Sequence, residues 1–260
     1  MNLSPNRFLA GLRANQPQIG LWLSLSSPFS TEAVAGAGFD WALIDMEHSG
    51  VSYETLKTQI ALCRGLDLVP MCRIPTNQYH YISRALDLGA LGIMAPMVGS
   101  AEEAEFIVSC TRYPPKGRRG AAFGFASDDY LGGNVSEKIE IANERTLVMA
   151  LIETENGIKN INEIAAVPGI DVLWLGHFDL TNFLGIPGEF THPRYLDAIE
   201  RIRDAARRHG KVLACMSAND EWSREYWLKD FRLFAVGVDS MLLQSALKAG
   251  IDALKDLSDK

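Results

Sequence analysis

Two acidic residues and one arginine follow short apolar stretches of the chain, at positions where strands are expected to end. Glu153 closes the stretch TLVMALIE, and Asp179 lies just beyond the stretch GIDVLWLGH. Carboxylates of this kind suit a hard divalent cation such as Mg²⁺ or Mn²⁺, which also accepts substrate oxygens. The alternative is that both carboxylates cap the helices that follow them. Arg73, at the end of LVPMCR, could hold an enolate or a carboxylate, or form a structural salt bridge to a neighbouring acid.

The stretch LIDMEHSG (residues 43–50) brings an imidazole and two carboxylates to the end of another apolar run. His48 is the natural acid/base, because the ordinary pKa of a histidine lies near neutrality. A catalytic imidazole usually needs an orienting carboxylate, and Asp45, Glu47 and the more distant Asp87 are candidates. Together with the metal-type acids and the arginine, these residues predict a metal-assisted reaction of a carbonyl compound.

Other residues at the expected strand ends are predicted to line the substrate pocket: Trp22, His177, Phe178, Asp179 and Met216. A Schiff-base aldolase would need a desolvated lysine at such an end. Lys211 instead lies at the start of a strand, and the other lysines fall in helical or loop segments. If the chain is an aldolase, its electron sink is therefore expected to be a metal ion.

The elements that position these residues repeat as an amphipathic helix, a glycine and a short apolar strand. The glycine stands where the end of a helix needs a residue that tolerates the left-handed conformation. Eight strands are predicted, within residues 19–25, 38–46, 65–73, 89–96, 146–153, 169–177, 210–216 and 232–238. They are almost continuously apolar, as expected for a parallel sheet covered by helices. Eight such units favour a closed (β/α)8 TIM barrel over an open doubly wound sheet.

The length and composition are those of an ordinary globular protein, with 260 residues, 47% hydrophobic and 22% charged. No linker or low-complexity tract divides the chain, so residues 1–260 are predicted to form a single barrel domain. A net charge of -7 argues against nucleic acid as the main partner. No apolar run is long enough to cross a bilayer, and the N-terminus lacks the apolar region of a signal peptide. The four cysteines have no CxxC spacing, which favours free thiols in the cytoplasm.

Several motifs, spread over nearly the whole chain, resemble one family of enzymes. They include IDxEH (residues 44–48), TRYPPKGRRG, LIETENGIKNI, GHFDLTNFLGIPG and AVGVDSMLL. In combination they are similar to the metal-dependent class II pyruvate aldolases that carry the HpcH/HpaI domain, which act on 4-hydroxy-2-oxoheptanedioate and 2-keto-3-deoxy sugar acids. The resemblance implies a β/α barrel that adds the enolate of pyruvate, or of hydroxypyruvate, to an aldehyde. In the reverse direction the enzyme would cleave a 4-hydroxy-2-oxo acid.

The resemblance also implies roles for individual residues. Glu153 and Asp179 would hold the divalent metal (Mg²⁺, Mn²⁺ or Co²⁺), and Arg73 would stabilise the pyruvate enolate. His48 would be the acid/base, acting directly or through water, and Asp87 would be its partner. Asp45 is the aspartate of the IDxEH motif and is counted with the catalytic group. Backbone N–H groups near Phe178 and Asp179 would bind the pyruvate carboxylate.

Three departures from the family pattern bear on the substrate. Leu151 replaces a glutamine beside the metal-binding glutamate, and His177 with Phe178 replaces Pro-Ala, which would put a second imidazole in the pocket. The segment 121–133 is acidic where relatives that cleave dicarboxylates are basic. We therefore expect a neutral acceptor, such as a small hydroxyaldehyde, rather than succinic semialdehyde.

The resemblance implies a homohexamer in which subunits exchange the last helix, and residues 239–257 are indeed rich in Leu and Ala. Two other functions remain open at this stage. A CoA-ester lyase of the malyl- or citryl-CoA type shares the barrel and the metal site, although no added segment is present to receive the nucleotide. The other is a barrel that binds a metal or a sugar acid without catalysis.

Overall fold

Eight parallel strands form a closed barrel in the computed structural model, which describes residue 3 and residues 6–258. Each strand pairs with the next one along the chain, and the last pairs with the first. The predicted (β/α)8 barrel is confirmed. The strands are β1 (Gln18–Leu23), β2 (Trp41–Asp45), β3 (Val69–Arg73), β4 (Gly92–Ala95), β5 (Leu147–Ile152), β6 (Val172–Leu175), β7 (Val212–Met216) and β8 (Phe231–Val238).

Helices connect the strands and cover the outside of the barrel. They are α1 (Arg7–Arg13), α2 (Pro28–Gly36), α3 (Tyr53–Gly65), α4 (Tyr79–Asp87), α5 (Ala101–Thr111), α6 (Val135–Arg145), α7 (Glu155–Lys159), α8 (Ile161–Ala166), α9 (His177–Phe183), α10 (Pro193–His209), α11 (Asp220–Leu228) and α12 (Asp239–Ser258), with a 3₁₀ turn at Ala126–Asp128. The side chain of Ser100 accepts a hydrogen bond from the N–H of Glu103 and so begins α5. Pro193 lies in the first turn of α10.

The left-handed positions before the strands differ from the prediction at one helix. Gly38, Gly89, Gly169 and Gly210 all have a positive φ, as predicted for residues that follow a helix. After α3 the expected glycine is Gly65, but it still belongs to the helix. Asp67 takes the left-handed conformation there instead, with a φ of 53°. Aspartate tolerates this conformation better than most residues, so the turn forms two residues later than predicted.

Buried apolar side chains form two layers, one between strands and helices and one inside the barrel. The inner layer contains Trp22, Trp41 and Trp174, and the ring centroid of Trp174 lies 5.8 Å from that of Trp22 and 5.9 Å from that of Trp41. Helix α1 closes the amino end of the barrel, because Phe8 packs edge-on against Trp41 at 6.0 Å. The interior is therefore filled from below, and only the carboxyl end of the strands is left for a site.

Asp87 and the segment 112–134 lie at the amino end of the barrel, opposite the expected site. Asp87 is the last residue of α4, which runs from the carboxyl end of β3 back to the amino end of the barrel. The segment 112–134 follows α5 and leads to α6, so it too lies at the amino end. Arg64 and Arg145, at the lower ends of α3 and α6, both pair with Asp129 of this segment.

The last helix, α12, leaves the barrel instead of covering it. Every residue from 241 to 255 is exposed. The outer face of β8 and β1, which a barrel of this type normally covers with its last helix, remains open as an apolar groove of about 580 Å³. Within the described residues, no helix has the length and apolar character needed to cross a membrane.

Candidate active site at the carboxyl end of the barrel

Arg73 and Asp45 form a buried, doubly hydrogen-bonded ion pair at the ends of neighbouring strands. They are register partners in β3 and β2. The Nε and Nη2 atoms of Arg73 donate to the two carboxylate oxygens of Asp45 at 2.8 and 2.6 Å. The guanidinium also lies 4.2 Å from the ring centroid of Trp22, and Arg73 is only 5% exposed. Asp45 therefore fixes the orientation of a positive charge at the centre of the barrel mouth.

Glu47 contributes a second carboxylate to the same arginine and also lies beside His48. Its Oε2 lies 3.0 Å from Nη1 of Arg73 and 3.9 Å from Nε2 of His48. Burial raises the pKa of Glu47, while the charges of Arg73 and His48 oppose the rise. Of the three carboxylates proposed to orient His48, Glu47 is thus the one beside its ring. The imidazole itself is 63% exposed and faces the mouth.

Glu153 is a buried carboxylate, 4% exposed, that stands directly after β5. One of its oxygens, Oε1, accepts a hydrogen bond from the backbone N–H of Met97 at 2.8 Å. The other, Oε2, faces Gly176, where an added Cβ would approach it to 2.7 Å. Burial raises the pKa of Glu153 to about 7, and the negative charges of Asp179 and Glu47 add to the rise. Met97 and Gly176 carried no signal in the sequence that marked them as part of the site.

Asp179 lies in the first turn of α9, close enough to repel both Glu153 and Glu47. The predicted pair of metal ligands is thus brought to the same part of the mouth. No cluster of three or more potential metal-binding side chains occurs in the described part of the chain. A hard cation that takes two carboxylates completes its coordination with water and substrate oxygens. Three mutually repelling carboxylates around one arginine, one of them buried with a raised pKa, suit such a cation.

His177 does not face the mouth, which corrects the prediction of a second imidazole in the substrate pocket. Its side chain is 5% exposed and points outward between α10 and α11. The Nδ1 atom lies 2.5 Å from the hydroxyl oxygen of Tyr195, and the ring packs against Trp222 at 4.9 Å and Tyr226 at 5.3 Å. Burial lowers the pKa of His177 to about 4, so the ring is neutral near pH 7. The sequence does not indicate whether a residue just after β6 faces the mouth of the barrel or the outer helices.

The remaining predicted pocket residues fall on the correct end of the barrel. Trp22 and Met216 belong to the inner layer, where Trp22 forms the floor under Arg73. Phe178 follows His177 on α9 and is 71% exposed, with one edge-on contact to Phe190 at 5.4 Å. Leu151 is also buried in the inner layer, so it leaves this wall of the pocket apolar.

Asp87 and the segment 121–133 do not reach the mouth of their own barrel. Asp87 pairs with Arg119, whose Nη2 lies 2.7 Å from its Oδ1, at the amino end of the strands. The predicted pair of His48 and Asp87 is therefore not formed within the chain. Because segment 121–133 lies at that same end, its acidity gives no reason to expect a neutral aldehyde in this chain's own pocket. Neither Asp87 nor segment 121–133 reaches the mouth of its own barrel, because a helix carries the chain from one end of the barrel to the other; their predicted roles toward His48 and the acceptor stay predictions.

Comparison with known proteins places this arrangement in a family. The family model described as HpcH/HpaI aldolase/citrate lyase matches residues 18–246. The chain belongs to the HpcH/HpaI family. The 5-keto-4-deoxy-D-glucarate aldolase of Escherichia coli strain K12 is 36% identical over 251 residues, which cover 96% of this chain and 97% of that enzyme. The predicted family and its class, that of carbon–carbon lyases of the aldolase type, are confirmed.

Solved structures have the same barrel. An HpcH/HpaI aldolase/citrate lyase family protein from Burkholderia cenocepacia J2315 superposes with a TM-score of 0.90 and 31% identity, covering 96% of this chain and 99% of its own. The citrate synthase SbnG superposes with a TM-score of 0.88 and 28% identity, covering 97% of this chain and 98% of its own. The same barrel is thus found in an aldolase family and in an enzyme named for citrate synthesis, so the substrate must be argued from the site.

Proposed function

We propose that this HpcH/HpaI protein is a metal-dependent aldolase that adds the enolate of pyruvate or hydroxypyruvate to an aldehyde and cleaves 4-hydroxy-2-oxo acids in reverse. The observation that carries the proposal is the fixed guanidinium of Arg73 beside the carboxylates of Glu153 and Asp179. A fixed guanidinium and a pair of carboxylates able to hold a divalent cation are the groups that would stabilise the negative charge of an enolate.

Glu153 and Asp179 would hold a divalent cation, with Mg²⁺, Mn²⁺ and Co²⁺ as candidates. When bound, such a cation supplies Lewis acidity, which makes the methyl protons of a 2-oxo acid easier to remove. The raised pKa of Glu153 supports this assignment, because burial beside Asp179 and Glu47 leaves the carboxylate short of a positive partner.

The other residues of the mouth would handle the proton and the developing charge. His48 would take the methyl proton, since its exposed ring has Glu47 beside it to stabilise the imidazolium. Arg73 would donate hydrogen bonds to the enolate oxygen while Asp45 keeps the guanidinium in place. Trp22 would exclude water from beneath the guanidinium. Proton return from His48 would complete the addition to the aldehyde.

The relative from Escherichia coli points to the size of the substrate. Cleavage of a 5-keto-4-deoxyglucarate beside its deoxy carbon releases pyruvate and a small hydroxyaldehyde that carries a carboxylate. Because this chain is 36% identical to that enzyme, we propose a small hydroxyaldehyde as its acceptor. Whether it carries a charge is decided by steady-state kinetics with glyceraldehyde, 2-hydroxy-3-oxopropanoate and succinic semialdehyde, each offered with pyruvate and with hydroxypyruvate.

We further propose that copies of the chain assemble by exchanging α12, as in the hexamer expected from the family resemblance. The apolar residues Leu243, Leu247, Ile251 and Leu254 recur on one face of α12 and are all exposed. The groove over β8 and β1 is lined by apolar side chains of matching character, among them Ile19, Trp227 and Phe234. If α12 of one copy lay in the groove of its neighbour, the apolar face of the helix and the apolar groove would cover each other. The four free, buried cysteines support a cytoplasmic location.

Hydrogen exchange at the pyruvate methyl group in D₂O tests the proposal without knowledge of the aldehyde. We expect exchange that depends on added Mg²⁺ or Mn²⁺, because enolate formation precedes attack on any acceptor. Glu153→Ala should abolish the response to metal, whereas Arg73→Ala should remove exchange and still bind Mn²⁺. Exchange at the same rate with and without a chelator would contradict the proposed role of the metal.

A further inference from the structure

His177 connects the strand end that carries Asp179 to two outer helices. Its Nδ1 lies 2.5 Å from the hydroxyl oxygen of Tyr195 on α10, and Tyr195 in turn lies 2.9 Å, oxygen to oxygen, from Tyr226 on α11. The imidazole is enclosed by Phe190, Trp222 and both tyrosine rings at centroid distances of 4.9 to 6.3 Å. A hydrogen bond and ring contacts on several sides hold the imidazole in this orientation.

The orientation of His177 determines where Asp179 points. Residues two positions apart in a helix lie on nearly opposite faces, and these two follow that rule. His177 is directed outward between α10 and α11, while the charge of Asp179 acts on Glu153 and Glu47 in the mouth. A rotation of the first turn of α9 that freed His177 would therefore also turn Asp179 away from Glu153.

The backbone holds the turn before α9 by one hydrogen bond, from the N–H of Gly176 to the carbonyl oxygen of Ile152 at 3.1 Å. Gly176 is the residue before the helix, and no side chain caps the helix there. Gly176 packs so closely on Glu153 that a Cβ would come within 2.6 Å of the Cβ of Glu153. The close approach requires glycine, and glycine has the greatest backbone freedom of any residue. The turn that sets the spacing between Glu153 and Asp179 therefore relies on His177 for its side-chain hydrogen bond to the outer helices.

We propose that His177 is a positioning residue, and that its hydrogen bond to Tyr195 fixes the first turn of α9 so that Asp179 and Glu153 can share a divalent cation. The inference rests on the proposed function, in which these two carboxylates hold the metal. His177 touches neither the metal nor the substrate. It acts through the backbone of residues 176–179, and the imidazole serves as a fixed neutral group.

Proline offers a test of positioning against simple packing. At the first position of a helix, proline restrains φ to the helical value by its ring and loses no hydrogen bond of the helix. His177→Pro should therefore restrain the turn without the imidazole, whereas His177→Ala removes both the restraint and the packing. Tyr195→Phe keeps the size of the ring and removes only the hydroxyl that contacts His177.

The measurement is the dissociation constant of Mn²⁺ in the absence of substrate, from the electron paramagnetic resonance of free Mn²⁺, with a melting curve for each variant. We expect His177→Ala and Tyr195→Phe to weaken Mn²⁺ binding by about tenfold, the lower range seen when outer partners of metal ligands are removed. His177→Pro should bind Mn²⁺ nearly as tightly as the wild type, although its melting temperature falls with that of His177→Ala. Tyr53→Phe is the matched control, because the Tyr53 hydroxyl has no hydrogen-bond partner among the described residues.

Unchanged Mn²⁺ affinity in Tyr195→Phe and His177→Ala would overturn the inference, as would a proline variant as weak as the alanine variant. If His177→Ala does not fold, Tyr195→Phe and His177→Pro still decide. Failure of the proposed function is distinguishable: in that case wild type binds no Mn²⁺, or Glu153→Ala binds it equally well.

Discussion

Arg73 is the residue around which the candidate site is built, and its surroundings explain why an arginine is needed. Asp45 accepts hydrogen bonds from two of the Arg73 nitrogens, Glu47 forms an ion pair with the third at 3.0 Å, and the face of Trp22 lies beneath. A planar group with several fixed donors suits two carboxylates and an aromatic face together.

Replacement of Arg73 by lysine tests this geometry while it keeps the charge. Arg73→Lys loses the paired hydrogen bonds to Asp45 and the stacking on Trp22. We expect pyruvate methyl exchange to fall by on the order of 10²–10³, as when one donor to a developing oxyanion is removed. Mn²⁺ affinity should change little. Arg84→Lys is the control, because Arg84 also stacks on an aromatic ring, that of Tyr53 at 4.9 Å, but outside the site.

Residue types at strand ends predicted the members of the site better than they predicted orientation. Arg73, Asp45, Glu153 and Asp179 could be found because polar residues at or shortly after the end of a buried strand gather at the mouth. His177 also follows a strand end closely, as the first residue of α9, yet its side chain points outward between α10 and α11. Which side a turn residue takes depends on packing partners such as Tyr195, which lies 18 residues away.

At the scale of elements, the end of β6 passes closest to the site. Gly176 lies against the side chain of Glu153, so the strand end and the buried carboxylate share one contact surface. The neighbouring turn after β4 supplies the backbone N–H of Met97 to the same carboxylate. The ends of β4, β5 and β6 thus define the position of the Glu153 carboxylate. The lack of a side chain at Gly176 leaves the space that this carboxylate occupies.

A methyl group at this position should displace Glu153. In Gly176→Ala the new Cβ would lie 2.6 Å from the Cβ of Glu153, well inside contact distance, so the carboxylate or the strand must move. We expect isothermal titration to find no saturable Mn²⁺ binding below millimolar concentration. Gly36→Ala is the control, since that helical glycine has open space around it and should gain about 0.5–1 kcal/mol of stability. Wild-type Mn²⁺ affinity in Gly176→Ala would contradict the assignment of Glu153 as a ligand.

The elements themselves were predictable, and one error in using them was avoidable. All eight strands follow from short apolar runs, five of them preceded by a glycine, because a parallel strand covered on both faces has little choice of residue. The segment 121–133 was nonetheless expected beside the substrate, although it follows the helical segment that begins at SAEE and precedes β5. Any segment between a helix and the next strand of such a barrel lies at the amino end. The same rule places Asp87, at the end of α4, away from His48 of its own chain.

At the scale of the whole molecule, α12 and the outer face of β8 and β1 both expose apolar surface. Helix α12 is amphipathic, with Leu247 and Ile251 on one face and Gln244, Lys248 and Asp252 on the other. Asp239, at its start, accepts hydrogen bonds from the N–H and hydroxyl of Ser24 and so ties the helix to β1. The start of the helix is thus fixed while the rest extends outward.

Charges on the apolar face of α12 should break the assembly without unfolding the barrel. The double variant Leu247→Glu and Ile251→Glu puts two carboxylates on the face expected to bind a neighbouring copy, where burial of an unpaired charge is unfavourable. We expect sedimentation to find a smaller species and circular dichroism to remain that of the wild type. Lys248→Glu, on the polar face, should leave the assembly unchanged. A wild-type protein that sediments as a monomer would refute the exchange of α12.

The contact between the indoles of Trp22 and Trp174 inside the barrel has a practical consequence. Trp22 touches the Arg73 guanidinium on one side and lies 5.8 Å from Trp174 on the other. Indole emission responds to charges within a few ångströms, and an incoming 2-oxo acid would place its anion on the far side of that guanidinium. The intrinsic tryptophan fluorescence of the unlabelled protein should therefore change when a 2-oxo acid binds in the pocket.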